Sequence, residues 1–354
     1  MARLNGFTKK QVIEIYRKMA LSRRLDDKML ILLKQGKSFF HIGASGHEAA
    51  QLAAAVMIKP GQDWSFPYYR DGAYCIGLGM TAREQLLSFL AKADDPNSGG
   101  RQMPQHYGHK GLRIVSQSSP TGTQFLQAVG CAMACKMEET KEVVYVSSGE
   151  GTTSQGDFHE ALNWASNAKA PVIFHIQDNE YAISTHRSEQ TASSIYDMTS
   201  GYGNLSRYDV NGSDFFETSL AFKEAVQRAR RNKGPSVIVS HVVRLLPHSS
   251  SDDQRKYRDE KALDADLKKD PLTLLESTCV SENFIMANEF EKIRSQVEKD
   301  VDDDSKWAED QDYPDPDTAM DHIYGTGDNT KESIFNPISE KIVIVDAINH
   351  ALHE

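Results

Sequence analysis

Val143-Val144-Tyr145-Val146-Ser147-Ser148-Gly149-Glu150-Gly151-Thr152-Thr153-Ser154-Gln155-Gly156-Asp157 is the stretch whose reading decides the fold. An apolar, β-prone run enters a Gly-rich turn, and a helix follows from about Gly156 to Asn167. Val172-Ile173-Phe174-His175-Ile176 predicts the next strand. Further on, a strand near Leu205–Val210, a helix over about 215–232 and a strand at Ser236–Val243 are expected. Strand, helix, strand in that order predicts the α/β class: a doubly wound parallel sheet with helices on both faces. Such sheets bind ligands at the carboxyl ends of their strands, which singles out the residues after Val146, Ile176 and Val243. Upstream, a helix is expected over 8–35, with Thr8 as cap and Val12, Ile15, Tyr16 and Met19 as its apolar stripe. A second follows His47 as far as Met57, and Thr81 with Glu84 forms a capping box for a third. Residues 94–113 read as an exposed loop, and Gln124–Met137 as a helix of small residues.

The 354 residues are 39% hydrophobic and 25% charged, with a formal net charge of -10. That balance, without a basic block, argues against nucleic acid and anionic membranes as partners. No apolar run is long enough to span a bilayer, and the first ten residues lack a secretory core. Cys75, Cys131, Cys135 and Cys279 form no CxxC and read as small buried side chains in a reducing cytoplasm.

The Gly149–Asp157 turn suits a phosphate, because glycines allow close backbone approach and a helix N-terminus offers unpaired N–H groups. It is neither a P-loop nor GxGxxG. Glu150 would repel an anion unless a cation lies between them. Mg²⁺ resolves this, and it requires about six oxygens. Asn179 can add an amide oxygen and Tyr181 a backbone carbonyl. Alone, Glu150 reads as a helix cap and Asn179 as a turn residue; on consecutive strand ends the pair favours metal.

Gly149-Glu150-Gly151, with Asn179 about thirty residues on, is similar to the thiamin-diphosphate signature. With Asp157-Phe158-His159-Glu160-Ala161 it resembles the α chains of 2-oxo acid dehydrogenases, and the Glu variant resembles the branched-chain members. Gly43–Ala49, Tyr68–Asp71, Arg101–Gly108, Ser118–Gln124 and Arg244–Asp253 resemble further family segments, so the likeness covers roughly 8–300. The resemblance implies a thiamin-diphosphate-binding fold with Glu150, Asn179 and Tyr181 on Mg²⁺. It implies cofactor contacts from Tyr69, Arg70, Ser119, Thr121, Gly149, Glu150, Gly151, Thr152, Asn179, Ile183, Arg244 and His248. Chemically, Arg70 could fork onto phosphate oxygens. A K⁺ near Ser118, Pro120, Thr123 and Gln124 is implied more weakly.

The implied reaction is oxidative decarboxylation of a 2-oxo acid with acyl transfer to the lipoyl group of a partner acyltransferase. His248 is the catalytic candidate, although a His in a Ser-rich loop alone reads as solvated. Branched-chain acids are the favoured substrates, with pyruvate and acetoin as alternatives. In this family a β chain supplies the glutamate that activates the aminopyrimidine, so the resemblance implies a heterotetramer with a shared site. A transketolase-like or synthase-like enzyme and a non-catalytic binding or regulatory relative are the competing readings. Three departures bear on this: Gln177 where an arginine often stands, Glu180 in place of a glycine, and Pro247 where relatives can have histidine. The organisation expected is an α-type domain at 1–300, an acidic linker at 301–340, and the truncated start of a β-type region at 341–354. Lys341–Val345 reads as a strand and Asp346–Glu354 as the start of an amphipathic helix. The chain is thus expected to be the α region of a fused enzyme, nearly inactive and self-associating without its β region.

Overall fold

A computed structural model describes residues 4–324 and 342–353. The chain divides into a unit ending at Pro314 and a second from Asp315 onward. The first opens with α1 (Lys9–Lys34), α2 (Glu48–Ala55), the strand β1 (Trp64–Phe66), α3 (Gly72–Leu78) and α4 (Ala82–Phe89). Thr8 caps α1, and Thr81 with Glu84 closes a capping box on α4, as the sequence suggests. There follow α5 (Thr123–Met137), β2 (Val144–Gly149), α6 (Gly156–Ala168) and β3 (Val172–Asp178). A small hairpin, β4 (Tyr181–Ala182) and β5 (Thr185–His186), leads to the single-turn helices α7 (Arg187–Gln190) and α8 (Ile195–Met198). Then come β6 (Ser206–Asn211), α9 (Phe215–Arg230), β7 (Ser236–His241), α10 (Glu260–Leu267), α11 (Pro271–Ser281) and α12 (Ala287–Glu309).

The main sheet has five strands in the order β1-β2-β3-β7-β6. Every neighbouring pair in it is parallel. Successive strand residues face opposite sides. Tyr145, Ile173 and Ile238 therefore join one core cluster with α1, α2, α3 and α9. Val144, Val146, Phe174, Ile176 and Val239 join another with α5 and α6. Both faces are covered, which makes the strands near-continuous apolar runs. Asp63, fully buried before β1, accepts N–H bonds from Lys59 (2.8 Å) and Val143 (3.0 Å). Arg230 at the end of α9 pairs with the same carboxylate, so three elements are fixed where β1 begins.

Several expectations are corrected. Asp302-Asp303-Asp304 lies inside α12 and not in a linker. Val301, Ser305 and Ala308 recur at helical spacing on its buried face. Asp302 bonds Arg24 (3.0 Å) and Lys28 (2.7 Å), and Asp304 bonds Arg83 (2.7 Å), so these charges bind α12 to α1 and α4. Residues 94–113 are not uniformly exposed. Asp95, Gln105 and Tyr107 are buried, and the Asp95 carboxylate accepts the N–H groups of Asn97, Ser98 and Gly100.

In the second unit, Ile344–His353 forms a helix, α13, so the strand expected over 341–345 is corrected for Ile344 and Val345. With no neighbouring strand in that unit's described residues, a helix satisfies its own backbone groups, as in Ala347 N–H to the Val343 carbonyl at 3.1 Å. Lys341 and most of the expected linker, 325–340, lie outside the described residues. The four cysteines are unpaired; Cys131 is half-buried and the others are buried. Among the described residues no helix is long and apolar enough to cross a membrane.

Candidate active site

Strands β1, β2 and β3 end at a cavity of about 270 Å³. Tyr68, Tyr69 and Arg70 reach it from beyond β1, Gly149 to Thr152 from the end of β2, and Asn179 and Tyr181 to Ile183 from beyond β3. His248 comes from the segment after β7, and Thr121 from the turn before α5. This is the position that the strand order predicts. Ser119 and Arg244 do not line it. Ser119 is exposed and bonds the His106 imidazole at 2.7 Å. Arg244 is buried, behind the wall that Ile183 forms.

Glu150 is 2% exposed. Its Oε2 accepts the Asn179 N–H at 3.3 Å, while its buried Oε1 has no hydrogen-bond partner. Burial, and then the Asp178 carboxylate, push its pKa up to about 7. A cation at this oxygen would supply the missing partner. Among the described residues no three His, Cys, Asp or Glu side chains converge as a metal site. The donors on offer are therefore mixed: Glu150, the Asn179 amide oxygen and the Tyr181 carbonyl. That set suits a hard cation completed by ligand oxygens. The Asn179 oxygen accepts the Tyr181 N–H at 3.3 Å, and Arg244 Nη1 lies 3.5 Å from the Tyr181 carbonyl.

The raised pKa has a measurable sign. The folded chain holds the Glu150 proton more tightly than the unfolded chain, so this group leaves stability intact below about pH 4.5 and removes it as pH rises through 7. A shift of that size is worth on the order of 3 kcal/mol. Glu150→Gln is expected to match the parent in ligand-free thermal stability at pH 5 and to exceed it at pH 7.5. Equal melting temperatures at both pH values would show that the carboxylate is not isolated.

Close packing shapes the turn. A Cβ on Gly151 would lie 2.6 Å from the Ala182 Cβ, so the β2 turn and the hairpin approach as closely as they do only with glycine there. Arg70 is buried beneath Tyr69; Nη1 donates to the Gly43 carbonyl (2.7 Å) and Nη2 to the His248 carbonyl (3.3 Å). Its Nε is buried without a partner. His248 Nδ1 lies 3.4 Å from Arg70 Nη2. Burial, Arg70 and Arg244 lower the His248 pKa to about 4, so the imidazole is neutral at pH 7. At the implied K⁺ position, Thr123 Oγ1 donates to the Pro120 carbonyl (3.1 Å) and Gln124 Nε2 to the Ser147 carbonyl (3.1 Å).

Two departures take on a different meaning in three dimensions. Gln177 does not line the cavity. It is fully buried on the face it shares with His175 and Ile173, where it meets His47 (2.8 Å), Gln51 (2.9 Å) and Asp71 (2.6 Å). Glu180 has φ 69°, which explains why glycine suits that place, and it faces a neighbouring cavity with Lys268 and Lys269. Pro247 lines a separate groove with Leu30, Leu33 and His41. Sequence reasoning missed Tyr68 and Ala182 as lining residues, although both lie inside segments it singled out. It also missed Tyr257, whose hydroxyl donates to Asp252 and accepts from Arg244 Nη2 at 2.7 Å. No local pattern marks that residue.

The family model described as dehydrogenase E1 component matches residues 16–317. A 2-oxoisovalerate dehydrogenase subunit alpha from Bacillus subtilis (strain 168) is 42% identical over 321 residues, covering 90% of this chain and 97% of the relative. A 3-methyl-2-oxobutanoate dehydrogenase subunit alpha from Mycobacterium tuberculosis (strain CDC 1551 / Oshkosh) is 35% identical over 73% of this chain and 67% of its own. A pyruvate dehydrogenase E1 component subunit alpha from Staphylococcus aureus (strain Mu50 / ATCC 700699) is 35% identical over 75% and 69% respectively.

Proposed function

The chain belongs to the dehydrogenase E1 component family, and we propose that within it this protein is the α component of a branched-chain 2-oxo acid dehydrogenase, working with a β subunit or β-type region and a lipoyl acyltransferase. The observation that carries the reading is the buried, unpartnered Glu150 oxygen beside Asn179 at the end of a parallel strand. The 42% identity to a 2-oxoisovalerate dehydrogenase α subunit favours a branched-chain acid.

In this reading Glu150, Asn179 and the Tyr181 carbonyl hold Mg²⁺, and the Gly149–Thr152 backbone, Tyr69 and Arg70 hold a diphosphate. Bound thiamin diphosphate supplies the electron sink that decarboxylation requires. Everything else falls to the protein. Arg70 brings positive charge to the anionic end of the cavity. Burial of Glu150 and Asn179 excludes water and strengthens each electrostatic contact. His248, neutral and with Nδ1 facing the Arg70 guanidinium, carries its hydrogen on Nε2 and can donate it there.

The test is decarboxylation of 2-oxoisovalerate with Mg²⁺, thiamin diphosphate and an artificial electron acceptor. It is run on the chain alone and on the chain mixed with its β subunit or extended through a β-type region. Activity is expected only in the second case, with kcat/KM for 2-oxoisovalerate at least about tenfold above pyruvate, a gap of about 1.4 kcal/mol. The reverse preference moves the substrate to pyruvate. Inactivity with every 2-oxo acid makes the chain a non-catalytic relative.

A further inference from the structure

Gln177 is fully buried near the end of β3, and both ends of its amide are in use. Nε2 donates to Asp71 Oδ1 at 2.6 Å. Oε1 accepts from Gln51 Nε2 at 2.9 Å and meets His47 Nδ1 at 2.8 Å. A carboxylate oxygen only accepts, so the amide nitrogen must face Asp71 and the His47 hydrogen must sit on Nδ1. A buried side chain of this length meets all three demands only as an amide. Leucine has neither a donor nor an acceptor, and an ionised glutamate has no donor.

The residues that meet Gln177 also hold the turn that carries Tyr69 and Arg70. The Asp71 N–H donates to the Tyr68 carbonyl at 3.0 Å, which closes that turn. The fully buried Asp71 carboxylate accepts from the Ser147 hydroxyl on β2, and Ser147 Oγ accepts the Tyr68 N–H at 3.2 Å. Gln51 on α2 donates to the Arg70 carbonyl at 3.0 Å. The turn is thus pinned to β2, β3 and α2, and from it the Arg70 guanidinium goes on to bond the Gly43 and His248 carbonyls. The hydrogen-bond partners of Asp71, namely Ser147, Gln177 and the Tyr145 hydroxyl at 3.5 Å, are neutral. A buried carboxylate held by neutral donors is costly to leave with one fewer.

We propose that Gln177 and Asp71 are a pair of positioning residues: their amide–carboxylate bond fixes the Tyr68–Asp71 turn and so sets where the Arg70 guanidinium meets a bound diphosphate. This rests on the reading of the cavity as a thiamin diphosphate site. Glutamine at this place then serves the diphosphate without reaching it, by holding the turn from which the arginine extends.

Two readouts at pH 8 test the idea on the chain mixed with its β subunit or extended through a β-type region: the Kd for Mg²⁺–thiamin diphosphate by calorimetry, and the melting temperature without ligand. Gln177→Glu sets two buried carboxyl groups against each other and is expected to weaken binding about tenfold. Asp71→Asn alone keeps an oxygen for Gln177 to donate to and should weaken it less than about threefold. Together the two substitutions restore a donor–acceptor pair with the amide on the opposite partner, so the double variant should bind within about threefold of the parent. A double variant that binds no better than Gln177→Glu overturns the proposal. So does Gln177→Glu with an unchanged Kd, whatever its melting temperature, since the pair would then serve stability alone. Should Gln177→Glu fail to fold, Ser147→Ala removes the other tie of the Asp71 carboxylate with little change in volume. It is expected to weaken binding about fivefold, and an unchanged Kd there overturns the proposal equally. If the unaltered protein binds inorganic pyrophosphate but no thiamin diphosphate, the functional reading fails and the same variants are judged on pyrophosphate; if it binds neither, both fail.

Discussion

Glu150→Ala is expected to lower kcat of the assembled enzyme by about a thousandfold or more, or about 4 kcal/mol of transition-state stabilisation. A bound cation is worth several kcal/mol wherever negative charge gathers. Among the described residues Glu150 is the one carboxylate lining the cavity, and its Oε1 has no hydrogen-bond partner there. The loss should appear equally as failure of Mg²⁺ to promote thiamin diphosphate binding in calorimetry. Glu150→Gln should give the same loss with its volume preserved, which separates charge from packing. Retention of more than a tenth of the activity by either variant would mean that the cation, if any, sits elsewhere.

His248→Ala should separate chemistry from binding. We expect kcat to fall by about 10²–10³, within the range for removing a placed acid–base group, while thiamin diphosphate affinity changes by less than about fivefold. The direction of its pKa adds a second check. His248 is held down to about 4 by burial and by Arg70 and Arg244, so kcat should show no inflection from this group between pH 6 and 8. The unfolded chain binds this proton more readily than the folded one. Stability from the neutral imidazole is therefore full above about pH 6.5 and lost as pH falls towards 4. A kcat inflection near pH 6.5 that disappears in the alanine variant would show that the histidine is more solvated than its packing implies.

The strands β2, β3 and β7 were legible because a parallel strand covered on both faces is a near-continuous apolar run, as in Val144–Val146, Val172–Phe174 and Val237–Val239. β1 was not, since three residues carry no periodicity and its strand character comes from pairing with Val144–Val146. The acidic run in α12 looked like linker because its counter-charges, Arg24, Lys28 and Arg83, stand more than two hundred residues away. Most of the site was legible because strand-end segments converge, as Glu150, Asn179 and His248 do. The direction of Gln177 was not legible. Its direction depends on strand parity, which turns it towards His47 and Asp71 on the other side of the backbone. Arg244 is implied as a cofactor contact but lies behind the cavity wall, and its carbonyl partner on Ile183 depends on a turn that isoleucine would not choose for itself.

The strand order has a consequence for biosynthesis. β7 lies between β3 and β6, so β3 has an uncovered edge until a strand ending at His241 reaches it. The roughly sixty residues that separate the ends of β3 and β7 take about 3–12 s to polymerise at typical translation rates. During that interval Val172–Asp178, which opens on the apolar Val172–Phe174 and has open backbone donors and acceptors, can pair with any extended segment nearby. On the ribosome the nascent chain should therefore be most prone to misassociation just after β3 emerges, and a chaperone that shields strand edges would act within that window.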